Sequence, residues 1–340
     1  MPIKGLRNKN VRIFVHYFLG PLLFILVSYS IYKRLSKQPD LQLSWQHIRE
    51  SFTSVRIFYL VAAIVLMIVN WGIEASKWKL CVQKIQQVGF ITAFKAVLSG
   101  VSFSVTTPNR VGEYLGRVLY MDDGNRLKAI SLTITGSISQ LLITLLMGVA
   151  GMVALRPALG TTGLFSPFWI DIVFYGTLVA FVVLTVFYLR LARVARWIDR
   201  LPRVKKYAWL LQTLEQFNAT LLLQLLSLSA LRFFVFIMQY YLLFRFFDVN
   251  VSWEQTLWAI SVSFLVMAVI PTIALFTDLG LRGEVSLLLL GLFSTNRLGI
   301  SLTSLSIWLI NLIIPALAGS LLILSIKKIF ITNKDEQRTS

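Results

Sequence analysis

The chain is short of the residues most enzymes rely on: among 340 residues there is one cysteine, Cys81, and two histidines. A lone cysteine excludes an intramolecular disulfide, and this His and Cys content leaves no recognisable zinc or iron–sulfur spacing. No metal and no cofactor are therefore expected. A phosphate-binding loop of the Gly-x-x-x-x-Gly-Lys-Ser/Thr type is missing too, which removes the usual coupling to ATP. Charge is scarce, at 14% of residues against 56% hydrophobic, and mean hydropathy is +0.73. A water-soluble fold cannot hide that much apolar surface.

Acidic residues are scarcer still, 15 against 33 Lys and Arg, for a net charge of +18. Nucleic-acid binders share such an excess, but here the basic residues flank apolar runs, as the positive-inside rule requires, so no nucleic-acid partner is expected.

What the chain has in quantity is uncharged length. A bilayer core about 30 Å thick takes roughly 20 apolar helical residues. Residues 13–32, 57–73, 129–155, 172–189, 255–277 and 298–326 contain no Asp, Glu, Lys or Arg, and 216–244 contains only Arg232. These runs are continuous rather than alternating, which favours helices over barrel strands. Lys4, Arg7, Lys9 and Arg12 precede the first run like a signal peptide, but the run is too long and ends in Tyr29-Ser30-Ile31-Tyr32 rather than small residues. It is expected to stay as an anchor.

The basic link 190–219, with Arg190, Arg193, Arg196, Arg200, Arg203, Lys205 and Lys206, belongs on the cytoplasmic side, against anionic headgroups. Working outward, both termini, the segment 74–128 and the tail 327–340 are cytoplasmic, in a multi-pass protein of the cell membrane. The segment 33–56 falls outside despite Lys33, Arg34, Lys37, Arg49 and Arg56.

Two breaks resemble each other. The first runs from Ser102-Phe103 through Thr107-Pro108-Asn109-Arg110-Val111-Gly112-Glu113, and the second from Ser263-Phe264 through Pro271 to Leu281-Arg282-Gly283-Glu284. In each, an apolar helix meets a proline, a basic residue follows, and a Gly-Glu pair opens another helix. The two pairs lie 171 residues apart, about half the chain. Proline removes a backbone donor and clashes with the preceding turn. Thr107-Pro108 has the form of an N-cap with a first-turn proline, and Asp278 stands ready to cap the second helix.

The expected architecture is an all-α polytopic membrane protein of about six full spans plus two broken-helix re-entrant hairpins. Residues 1–326 form one transmembrane domain with inverted half-repeats at about 33–190 and 191–326. Pro108, Gly112, Pro271, Gly280 and Gly283 are the expected hinges. Arg110, Glu113 and Arg117 share one helix face, and with Arg282 and Glu284 are candidates to bind an anionic headgroup, most simply a phosphate. Arg232, a charge inside a span, joins them as a binding candidate, with snorkelling to the interface as the plainer reading. Asn70, Glu74 and Lys77 read as an interfacial helix end. His16 and Asn311 read as helix–helix hydrogen-bonding residues.

The stretch Trp45 through Ile85, with its exit Asn70-Trp71-Gly72-Ile73-Glu74-Ala75-Ser76-Lys77-Trp78, followed by Thr107-Pro108-Asn109-Arg110-Val111-Gly112-Glu113, resembles the transmembrane region of lysylphosphatidylglycerol synthases and their stand-alone flippase-like relatives. Asp278-Leu279-Gly280-Leu281-Arg282-Gly283-Glu284 resembles that family's later Gly-x-x-Glu-type element, although Gly283 stands where an Arg commonly precedes the Glu. The resemblance covers about 13 to 326. It implies movement of modified phospholipids or polyprenyl-linked lipids between leaflets. Full synthases add a soluble aminoacyl-transfer domain, for which these residues leave no room, so synthase activity is not implied.

The expected function is thus a flippase-like transporter of an anionic or zwitterionic lipid headgroup. The alternatives are an integral membrane transferase, with Asp122-Asp123 as its carboxylates, or an accessory subunit holding an enzyme partner at the membrane. Asp122-Asp123, followed by Gly124-Asn125 and Arg126, reads first as a charge-balanced turn.

Overall fold

The computed structural model describes residues 29, 41–105, 107, 111–161, 166–190, 217–270 and 275–324. Most of the expected span 13–32, most of the link 190–219, the tail 327–340, and the individual residues Pro108, Arg110 and Pro271 lie outside the described residues.

Every element among the described residues is helical. They are α1 (Leu41–Ser51), α2 (Ile57–Val82), α3 (Phe90–Val105), α4 (Gly112–Val118), α5 (Arg126–Thr161), α6 (Pro167–Leu189), α7 (Ala219–Phe246), α8 (Trp253–Val269), α9 (Leu275–Leu290) and α10 (Arg297–Leu324). Five of them, α2, α5, α6, α7 and α10, are long and apolar enough to cross a membrane. They coincide with the uncharged runs at 57–73, 129–155, 172–189, 216–244 and 298–326. The protein is a multi-pass α-helical membrane protein. Along α6, Ile172, Val173, Val179, Val182 and Val183 are exposed, a surface that only lipid solvates at low cost.

Helix starts follow side-chain chemistry. Asn218 Oδ1 accepts the Leu221 amide at 2.8 Å to open α7, and Ser252 and Gln255 form a reciprocal capping box at α8. Asn296 Oδ1 accepts the Gly299 amide at 2.9 Å to open α10. The two breaks differ in detail from their expected form. The helix after the first break opens at Gly112, whose amide donates to Thr107 Oγ1 at 2.7 Å, so Thr107 reaches across the turn instead of capping at the proline. After the second break α9 opens at Leu275, which leaves Asp278 inside the first turn and not at the cap.

The order long, short, short, long occurs twice, as α2–α3–α4–α5 and α7–α8–α9–α10, with α6 between. Helices α2 and α7 pack side by side and run antiparallel, since Arg56 before α2 pairs at 2.9 Å with Asp248 after α7. The first short helix of each set also leans on the last long helix of the other set. Leu265 of α8 rests on Gly148 of α5, while α3 meets α10 where Ser102 Oγ and Ser320 Oγ lie 2.8 Å apart. Two apolar cores result. One gathers the start of α2, the end of α7 and much of α8 to α10; the other gathers the end of α2, α3 and the starts of α5 and α7.

The α3–α4 hairpin is closed by a backbone contact that needs glycine. A Cβ on Gly116 would stand 2.4 Å from the Ser99 carbonyl oxygen and 2.5 Å from Gly100 Cα, backbone that cannot step aside. Gly116→Ala is expected to cost about 1–3 kcal/mol of overpacking, read as a lowered melting temperature in detergent. Gly124→Ala, where an added Cβ meets nothing within 4 Å, is the control that leaves melting unchanged.

Candidate functional site

Residues Asn70, Glu74 and Lys77 recur at i, i+4 and i+7 and so share one face of α2. That face is not an interfacial helix end. All three are buried, with Asn70 at 0%, Glu74 at 7% and Lys77 at 2% exposure. A carboxylate and an ammonium that deep need partners, because desolvation of an unpaired charge costs several kcal/mol or more.

Glu74 supplies the common partner. Its Oε1 accepts from Arg117 Nη2 of α4 at 2.9 Å. Its Oε2 lies 3.0 Å from Arg232 Nη1 of α7 and 3.3 Å from Lys77 Nζ. Arg117 is in turn paired with Glu113, one helical turn earlier on α4. These five side chains comprise three basic groups and two carboxylates, an excess of one formal positive charge in a buried cluster.

Arg232 does not snorkel. Its Nε donates to Asn70 Oδ1 at 2.8 Å, and its guanidinium lies over the rings of Trp71 and Phe236 at 5.2 and 5.4 Å. Asn70 Nδ2 donates to Asn311 Oδ1 at 3.3 Å, so Asn311 does join helices by a hydrogen bond. Asn311 sits in a π turn at Leu309–Ile313 of α10, a local widening of the helix that recurs at functional sites. Gln239, two turns beyond Arg232, is used structurally, donating to the Ala63 carbonyl at 2.9 Å.

Beside the cluster lies a cavity of about 500 Å³. Its wall takes Trp71 from α2, Gln140 and Thr144 from α5, Arg232 and Phe236 from α7, Phe264 from α8, Asp278 and Arg282 from α9, and Asn311 from α10. Arg282 donates to Tyr240 Oη at 3.2 Å and to Asp278 at 3.4 Å. Three wall residues carry buried polar atoms without a hydrogen-bond partner among the described residues: Trp71 Nε1, Gln140 Oε1 and Arg282 Nε. Two of the three are donors, which suits a ligand rich in acceptors.

The sequence-derived candidates therefore separate. Arg232 of α7 and Arg282 of α9 come together on the cavity wall, both from the second set of four helices. Glu113 and Arg117 stand behind Glu74, away from the wall, and Glu284 is half-buried on α9 and does not line it. Gly112 begins α4, whereas Gly280 and Gly283 lie within continuous α9. Glu74 and Asp278 had not been singled out as binding residues. The 70–74–77 stripe carried the signal for the first. Asp123 is exposed and paired with Arg126 at 2.6 Å, the charge-balanced turn read from the sequence.

The family described as the lysylphosphatidylglycerol synthase TM region matches residues 40–319. No curated protein matches the chain.

The charge count of the cluster makes a test by sign. Lys77→Met brings the five-residue sum to zero and is expected to move stability by less than about 1 kcal/mol, since Glu74 keeps two arginines. Glu74→Met leaves three buried cations facing one carboxylate and is expected to cost about 3–5 kcal/mol. Thermal melting of the purified proteins in detergent compares the two directly.

Proposed function

We propose a lipid-transport function for this chain, which belongs to the lysylphosphatidylglycerol synthase TM-region family. The substrate class is a lipid with an anionic or zwitterionic headgroup, phospho- or polyprenyl-linked, moved between leaflets of the cell membrane. The observation that carries the reading is the cavity walled by Arg232 and Arg282 and backed by a cluster with one uncompensated positive charge. A guanidinium presents a planar fork that matches phosphate in bidentate fashion, and two such groups facing one partly open cavity attract an anion. The aromatic wall of Trp71, Phe236 and Phe264 accommodates the glycerol or prenyl portion next to that group.

Alternating access follows from the doubled order of helices. In this proposal α3–α4 and α8–α9 are re-entrant hairpins of an inverted pair, opening from opposite leaflets toward the shared cavity, with both termini cytoplasmic. The mutual packing of α3 on α10 and of α8 on α5 supports it, because exchange of partners between halves is what a pseudo-two-fold axis produces. Arg110, placed by sequence at the tip of the first hairpin, and Glu284 on α9 remain part of the proposed headgroup route. The basic link 190–219 is proposed to rest on anionic headgroups.

Two outcomes are expected. In vesicles reconstituted with the purified chain, a fluorescent phosphatidylglycerol becomes accessible to dithionite from the outside. Arg232→Ala slows that flipping by about 10–100-fold, the loss of one charge-assisted contact pair, while Arg282→Lys keeps the charge and loses only part of the rate. An unchanged rate in Arg232→Ala overturns the assignment. For topology, single cysteines at Val111 and Ile270, in a Cys81→Ser background, are expected to label from opposite sides of the membrane in cells. Labelling from one side removes the inverted arrangement.

A further inference from the structure

Glu74 holds an arginine that the proposed ligand needs. The Arg232 guanidinium is part of the cavity wall and 14% exposed, yet its Nη1 is already taken by Glu74 Oε2 at 3.0 Å and its Nε by Asn70. A phosphate approaching through the cavity meets a fork that is half occupied. Glu74, by contrast, can give up that contact at small loss. Its Oε1 keeps Arg117 at 2.9 Å, and Lys77 stays within 3.3 Å of the same Oε2. A carboxylate shared by three cations can release one partner without becoming an unpaired buried charge.

We propose that Glu74 is an internal stand-in for the anionic group of the ligand: it neutralises Arg232 while the cavity is empty and hands that arginine to the phosphate on binding. The inference rests on the cavity being the headgroup site. Charge bookkeeping agrees with it. Before binding, Lys77, Arg117 and Arg232 exceed Glu74 and Glu113 by one; a phosphodiester of charge −1 on Arg232 closes the sum. Arg282, compensated by Asp278, then adds donors without adding net charge.

The exchange also carries a message. The Glu74 carboxylate is ion-paired at one oxygen with Arg232 of the cavity wall and hydrogen-bonded at the other to Arg117 of α4, and Arg117 is paired with Glu113 on the same short helix. Release of Arg232 lets the carboxylate turn toward Lys77 and Arg117, so occupancy of the cavity alters how α2 grips the α3–α4 hairpin. Glu74 acts through Arg232 and Arg117 and is a positioning residue for both. A ligand shifts an equilibrium only by its differential interaction with two states, and this contact provides such a difference.

The test uses the full chain in detergent and two probes, dioctanoyl phosphatidylglycerol and inorganic phosphate, with binding read by calorimetry. Glu74→Gln combined with Lys77→Met keeps the cluster's net charge and frees Arg232. It is expected to bind the short-chain lipid about tenfold more tightly than wild type, yet to flip lipid more slowly in vesicles. A purely structural role would weaken both. Glu74→Asp, which keeps the charge and withdraws it by one methylene, is the second variant and is expected to gain affinity in the same direction. A tenfold gain shared by inorganic phosphate locates the exchange at the phosphate group, and a gain confined to the lipid locates it at headgroup and tails together; both support the exchange. If wild type binds and Arg232→Ala does not, but neither Glu74 variant binds more tightly, the stand-in role is overturned while the headgroup site stands. If wild type binds neither probe, the headgroup site itself is overturned.

Discussion

The carboxylate of Glu74 is the point on which the described structure turns. Three helices meet here through charges and a fourth through an amide hydrogen bond, and a hydrocarbon environment offers no water to take the place of a missing partner. Helix α2 brings the acid, α4 brings Arg117, α7 brings Arg232, and Asn70 carries the network on to Asn311 of α10. The cluster also marks the seam between the two apolar cores: along α7, Leu225 belongs to one and Phe233 to the other, with Arg232 at the change-over. The second core also reaches α2, α7 and α10, and α4 through Val118, so polar contacts and apolar packing hold the same four helices together.

Buried ion clusters are weak stabilisers, since well-packed apolar residues of similar volume often do as well or better. Stability therefore does not account for a group of five charged side chains here. An arrangement with equal numbers of cations and carboxylates would satisfy the structural need. The excess cation, together with a cavity that one of these arginines walls, fits a site that is completed from outside. The π turn at Leu309–Ile313 fits the same account: a continuous α-helix would rotate Asn311 relative to the residues before it, and the extra residue in the turn keeps its amide aimed at Asn70 while Trp308 and Leu312 stay on the wall.

Long elements were readable from the chain because their cause is local. Each of the five uncharged runs within the described residues became one helix of 23 residues or more, since the bilayer requirement and helix periodicity act on consecutive residues. The break at Pro271 was likewise visible: α8 ends at Val269. Cap details were less so. Thr107 was expected to cap the adjacent proline turn and instead accepts from Gly112, because the close approach of Gly116 to Ser99 fixes where α4 can begin. The site was legible in part. A charge within a span at Arg232 and a basic residue after each proline are local signals, and two of them reach the cavity. Which arginine faces the cavity and which is spent on internal pairing depends on helix rotation in three dimensions, so Arg117 and Arg282 looked equivalent in sequence and are not.

The same dependence explains why Glu74 was misplaced. Read along α2 alone, Asn70, Glu74 and Lys77 follow a long apolar run and precede a polar turn, the pattern of a helix leaving the membrane. What buries them lies 43 and 158 residues away, at Arg117 and Arg232. A charged stripe at a span's end is thus ambiguous until the chain supplies other intramembrane charges of opposite sign to meet it. Among the described residues two arginines meet it: Arg117 in the short α4 and Arg232 in the middle of α7. Unpaired, each would be costly at that depth, and α2 offers the acid at a level both can reach. Counting intramembrane cations against the acids able to serve them, rather than judging each stripe by its neighbours in sequence, assigns Glu74 inward and leaves the one surplus positive charge beside the cavity.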